Sequence, residues 1–135
     1  MSVAVRYYTQ SGNSKKLADR IAKECGVEAK DVTCELTEKA DILFLVTALY
    51  AGGIDASVVK FLELNSSNIG KIVNVSSAAS NASTYKKVKK VADKCAIAME
   101  EEQFKCNGEF LFMHKGRPND LDLENAAIFA NKMMS

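Results

Sequence analysis

The chain has no tryptophan, one histidine and one proline among its 135 residues. His114 stands alone, and Cys25, Cys34, Cys95 and Cys106 are widely spaced with no C-x-x-C, so neither a metal cluster nor a redox pair is expected. Reduced packing thiols of a cytoplasmic protein are the simpler expectation. Internal repeats, low-complexity tracts and linkers are missing, and no apolar run approaches the ~20 residues that span a bilayer. The N-terminus meets Arg6 and then a polar turn, unlike a secretory signal. An excess of one charge is missing too. Eighteen Lys and Arg against 17 Asp and Glu leave a net charge of +1, which gives no reason to expect nucleic acid or an anionic membrane as partner. What is present is 47% hydrophobic and 26% charged, an ordinary balance for one globular domain over residues 1–135.

The most informative stretch is Thr9-Gln10-Ser11-Gly12-Asn13-Ser14. It follows an apolar run, Val3 to Tyr8, and leads into an amphipathic one from Lys15. Strand, hydroxyl-and-glycine turn and helix together collect backbone N–H groups, short side-chain donors and a helix's positive end. Gly12 permits the positive φ or close approach that such a turn needs. The stretch reads as a phosphate cradle that needs no Lys or Arg; the plain alternative is a helix cap.

Further along, residues 2–8 read as a buried strand, and Leu17, Ala18, Ile21, Ala22 and Cys25 mark one face of a helix over 14–25, stopped by Gly26. Asp31 to Cys34 is a short second strand. Ile42-Leu43-Phe44-Leu45-Val46 is a near-continuous apolar strand, as in a parallel sheet covered on both faces. Asp55 caps a helix to about Leu64. Lys71 to Val75 is the next strand, followed by the small residues Ser76 to Asn81. A helix then places Tyr85, Val88, Val91, Ala92, Cys95, Ala96 and Met99 on one stripe, with Lys86, Lys87, Lys89, Lys90 and Lys94 outside it. Gln103 to Met113 is strand-like with a break at Asn107-Gly108, and Asn119 or Asp120 opens a last helix. Only seven residues separate Cys34 from Ile42, too few for a crossover helix. The second strand is therefore expected at the sheet edge. Alternating strands and helices imply βαβ units, and the polar loops 9–14, 47–54 and 76–84 converge at the carboxyl ends of the strands.

At this point the whole chain resembles the flavodoxin-like family. Thr9 to Ser14 is similar to that family's T-x-[ST]-G-N-[ST] loop, which holds the phosphate of FMN. Thr47-Ala48-Leu49-Tyr50-Ala51-Gly52 resembles the loop beside the isoalloxazine ring. Ser76, Ser77, Ala78 and Asn81 fall in the second ring-binding loop. The resemblance implies an α/β three-layer sandwich, with a five-stranded parallel sheet of order 2-1-3-4-5 and helices on both faces. It also implies FMN as cofactor and an electron-transfer role with a redox protein partner, as a monomer or weak dimer. Tyr50 would offer a ring face to the flavin, and Gly52-Gly53 the backbone freedom that a redox-responsive peptide requires.

The chain departs from the acidic electron carriers of that family in being near neutral with a lysine-rich helix. Carboxylates beside a flavin disfavour its anionic reduced form, so their scarcity here predicts a less negative potential. Two rivals stand beside the carrier. An NAD(P)H-dependent flavin or quinone reductase of the same fold ranks lower, because no second Gly-rich nucleotide loop is present. A flavin-free interaction or signalling domain is the other; a receiver-type phosphorylation site would need an acidic cluster after the first strand. Tyr50 also reads as an interface aromatic, Tyr85 as core more than pocket, and the lysine run as a solvated face or a docking patch for an acidic partner.

Overall fold

The computed structural model describes residues 1–78, 82–108 and 116–135. Strands β1 (Val3–Tyr7), β2 (Ala29–Asp31), β3 (Ile42–Thr47), β4 (Lys71–Ala78), β5 (Ala98–Met99) and β6 (Phe104–Asn107) form one parallel sheet. Its order is β2-β1-β3-β4-β5, with β6 also paired to β4. β5 lies beside Lys71 and Ile72 and β6 beside Val75 to Ala78, so the fifth position of the sheet is filled by two short strands end to end. The strand order is the expected one.

All six residues of β3 are buried, because both faces of the sheet are covered. Leu43 and Leu45 point to one side, where α2 (Ala56–Asn65) and α3 (Tyr85–Lys94) contribute Val58, Phe61, Leu62, Val88 and Ala92. Phe44 and Val46 alternate to the other, against Leu17, Ala18 and Ile21 of α1 (Asn13–Cys25) and Ala126 and Ala130 of α4 (Asp120–Met134). The caps follow the sequence. Asp55 accepts the Ser57 N–H at 3.0 Å. Asn119 and Asp122 form a reciprocal capping box.

Three boundaries differ from expectation. β2 spans Ala29–Asp31, not 31–34, because the Asp31 carboxylate accepts the Thr33 N–H at 2.9 Å and turns the chain. Ser76 to Ala78 are strand rather than loop, held by β3 and β6. α3 stops at Lys94; Ala96 takes a left-handed φ of 57°, Ile97 is buried, and Met99 sits in β5 instead of on the helical stripe. Asn81, His114 and the far part of the 103–113 stretch lie outside the described residues.

The short link from β2 to β3 contains no helix, and Arg6 explains how it is held. This β1 side chain is only 7% exposed. It donates to the carbonyls of Cys34 at 2.8 Å, Glu35 at 3.4 Å and Val5 at 3.1 Å. Burial pulls its pKa below the usual guanidinium value, yet these acceptors suit a cation. Asn65 adds a second tie by accepting the Leu36 N–H at 2.9 Å.

Candidate functional site

Strand order reverses between β1 and β3, since the chain leaves β1 toward β2 and returns on the other side. A crevice is expected at the carboxyl ends there, and a cleft of about 770 Å³ occupies it. Smaller clefts of about 230 Å³ between β6 and α4, and about 220 Å³ near the amino end of β1, lie away from this point. Gln10, Ser11 and Asn13 line the main cleft from the first loop and Ala48, Leu49, Tyr50 and Ala51 from the second. Ser77 and Ala78 line it from the end of β4, and Gly108 from beyond β6.

The first loop is built to present the end of α1. Thr9 Oγ1 accepts the Gly12 N–H at 2.8 Å, which closes the turn. Gly12 is the N-cap at φ 93°, a conformation that other residues resist, and it brings no side-chain cap. The first turn of α1 carries no carboxylate. Helix geometry leaves the N–H groups of Asn13, Ser14 and Lys15 without intrahelical acceptors; that of Asn13 donates to the Ser11 hydroxyl at 3.4 Å. Ser14 is fully buried below the turn, its hydroxyl 3.1 Å from that of Ser77, which ties α1 to β4. Thr9, Gly12 and Ser14 thus shape the first loop without lining the cleft.

In the second loop Tyr50 N–H donates to the Gly53 carbonyl at 2.8 Å and Gly53 N–H to that of Tyr50 at 3.1 Å. Between them Ala51 and Gly52 both have positive φ, 52° and 79°, as a type I′ turn demands. Ala51 bears the conformational cost and projects over the cleft; Gly52 is exposed and outside the lining. Tyr50 reaches back to the first loop, its hydroxyl accepting the Gln10 N–H at 2.9 Å. Its ring meets Tyr8 edge to face, with centroids 5.8 Å apart.

Thr47 and Ser76 are the sequence candidates that sit beneath the cleft. They are register partners on β3 and β4, both fully buried, and they face the α2–α3 side. Ser76 Oγ accepts the Thr84 N–H at 3.0 Å and lies 2.8 Å from Thr84 Oγ1, while Asn74 donates to Thr84 Oγ1 at 3.0 Å. This cluster ties β4 to the start of α3. Thr47 Oγ1 has no hydrogen-bond partner among the described residues.

Among the described residues no carboxylate lines the cleft. The nearest by sequence to the second loop, Asp55, is held below the usual carboxylate range by the Ser57 hydroxyl at 2.6 Å, then by the Ser57 N–H, with a smaller effect of the Tyr8 hydroxyl. The described part of the site is therefore a helix N-terminus opening beside an uncharged, largely apolar wall.

Tyr8 and Gly108 were not expected here. Tyr8 ends the apolar run before the loop, and its hydroxyl accepts from Gln10 Nε2 at 3.3 Å. Gly108 N–H donates to the Ala78 carbonyl at 2.9 Å. A Cβ there would stand 2.6 Å from Asn13 Nδ2, so the missing side chain lets the β6 end close over the first loop without displacing the Asn13 amide. The one signal in the sequence was the Asn107-Gly108 break.

Compared with protein-family models, residues 4–128 match the flavodoxin domain. Among solved structures, a flavodoxin from the Archaea superposes with a TM-score of 0.76 at 14% identity, over 98% of this chain and 96% of that one. Flavodoxin 1 of Bacillus cereus gives 0.75 at 18%, covering 99% and 97%. A short-chain flavodoxin associated with a bacterial microcompartment gives 0.72 at 20%, covering 100% of both. A search of curated proteins finds no match.

Proposed function

The chain belongs to the flavodoxin domain family, and from that premise we propose that it is a single-domain carrier that holds flavin mononucleotide in this cleft and exchanges electrons with a protein partner. One observation carries the proposal. The 13-residue helix α1 begins at a glycine, without side-chain cap or first-turn carboxylate, beside a cleft of about 770 Å³ whose described lining is uncharged.

The donor set fits this cofactor. A helix end contributes roughly half a positive charge, so the first-turn N–H groups with Ser11 and Asn13 can hold a phosphate dianion without a cation. Ala48, Leu49 and Ala51 offer apolar contact to the ring system, and Tyr50 a polarisable one. Ala78 and Gly108 add little bulk to the described part of the opposite wall. When bound, the isoalloxazine supplies the redox chemistry; the protein binds it, orients it and limits its contact with water. No side chain of the cleft is required as an acid, base or nucleophile. The four cysteines are unbridged, which suits a reducing compartment, and the cytoplasm is proposed. Among the described residues no helix is long and apolar enough to cross a membrane.

Titration of FMN with purified protein, followed by flavin fluorescence, tests the proposal. Quenching by the parent is expected. The Ser11→Asp variant puts a negative charge on an exposed residue that lines the cleft beside the end of α1, and should bind at least ~10-fold more weakly. An unquenched parent, or a variant that binds as tightly, would overturn the function.

A further inference from the structure

Helix α3 carries Lys86, Lys87, Lys89, Lys90 and Lys94 against one acidic residue, Asp93. Set against 18 cationic and 17 anionic residues in the whole chain, this leaves a net charge of −3 outside the helix. Charge in this near-neutral protein is therefore sorted by region. The arrangement opposes the helix that bears it. Lys86 and Lys87 stand in the first turn, at the positive end of the helix dipole. Lys86 and Lys90, then Lys90 and Lys94, stand four residues apart, where like charges repel. Lys89 pairs with Asp93 at 2.5 Å, while Lys86, Lys87, Lys90 and Lys94 have no ion-pair partner among the described residues. Val88 and Ala92 are fully buried and fix the helix so that these four side chains are exposed. A local electrostatic conflict that, among the described residues, only the Lys89–Asp93 pair relieves marks a surface used for something else.

We propose that this face of α3 docks an acidic protein redox partner, an inference that rests on the electron-carrier function above. Thr84, the N-cap of α3, is bonded to Ser76 near the carboxyl end of β4. The first lysines therefore stand at the end of the sheet where the cleft opens. A partner held there approaches the cofactor end of the molecule. The helix of 10 residues is about 15 Å long, and the rest of the chain is net −3. A bounded patch suits the acidic face of a small protein. A nucleic-acid backbone or an anionic bilayer would extend past it into repulsion. Tyr85, the only aromatic of the helix, is half-buried and donates its hydroxyl to the Glu100 carbonyl at 3.1 Å, so it offers no base-stacking platform.

The test uses the full chain and a fluorescently labelled cytochrome b5 as acidic probe, read by anisotropy at low and high salt. Binding that weakens with salt is expected, and the Lys86→Gln/Lys87→Gln/Lys90→Gln variant should bind at least ~10-fold more weakly at low salt. The variant's FMN affinity should be unchanged and its melting midpoint equal or higher, since like-charge repulsion is relieved. Three results overturn the proposal: no binding of the probe, equal binding by the variant, or tighter lysine-dependent binding of duplex DNA or phosphatidylserine vesicles. Anisotropy needs no flavin, so a chain that fails to bind FMN sinks the carrier function without deciding this result.

Discussion

The Tyr50 hydroxyl accepts the Gln10 N–H at 2.9 Å, joining two cleft loops 40 positions apart in the chain. Tyr50 thus combines a tie between loops with a ring that lines the cleft. Its two roles separate by substitution. Tyr50→Phe keeps the ring and loses one hydrogen bond, worth about 0.5–1.5 kcal/mol. A lower melting midpoint is expected, with FMN affinity within about threefold. Tyr50→Ala also loses the aromatic contact, and affinity should fall ~10-fold. Fluorescence titration and thermal melts of both variants check this.

Gly108→Ala tests the closure over the first loop. The added methyl would press on Asn13 Nδ2 at 2.6 Å and on its Cβ at 3.3 Å. The end of an amide side chain can move, so the stability cost should stay below about 1 kcal/mol. Displacing Asn13 from the cleft should weaken FMN several-fold. An unchanged affinity with displaced Asn13 resonances by NMR would remove Asn13 from the site.

Arg6→Met removes three donors from a buried position. Unfolding by denaturant should show a loss of about 2–4 kcal/mol, while the folded fraction keeps its FMN affinity. Loss of the β2–β3 link alone, seen as local hydrogen exchange in residues 32–41, is the structural signature.

Acid should weaken the start of α4. Asp122 lies below the usual carboxylate range chiefly because the Arg117 guanidinium donates to it, at 2.7 Å from one nitrogen, and also because it accepts the Asn119 N–H. A lowered folded-state pKa stabilises the protein above the ordinary carboxylate value near 4, and this is lost as pH falls through the folded value. Asp122→Asn should therefore lower the melting midpoint by roughly 3–8 °C at pH 7, with the gap to the parent closing below about pH 4. A gap that persists at pH 2 would show that its origin is not the charge.

The lack of a carboxylate among the described lining residues bears on potential. A carboxylate about 10 Å from a bound flavin would disfavour added negative charge by roughly 1.7 kcal/mol, or roughly 70 mV for one electron. Ala51→Asp places one in the lining, at a positive φ that Asp tolerates better than Ala. A redox titration should find the variant's lower couple more negative by that order, and the parent's less negative than in acidic flavodoxins.

The turn into α1 was legible because its signals are local: a hydroxyl, a glycine and a helix start lie within six residues. β3 was legible because six buried positions in a row leave few other elements. What escaped depended on distant partners. Nothing near Ala96 announces a left-handed residue, and the stripe through Met99 continues past it; pairing of Ala98 and Met99 with β4 ends the helix. Ser76 to Ala78 look like a loop by size and are strand because β3 and β6 flank them. Tyr8 and Gly108 join the cleft through contacts with Tyr50 and Asn13, which no spacing within either segment encodes.

The outermost ribbon on the β1 side is three residues long, and the chain turns away from it at once. So brief a row of unpaired amides is a poor template for a neighbouring molecule to copy. Edge-to-edge pairing of two molecules through β2 should accordingly add nothing measurable to association in concentrated solution.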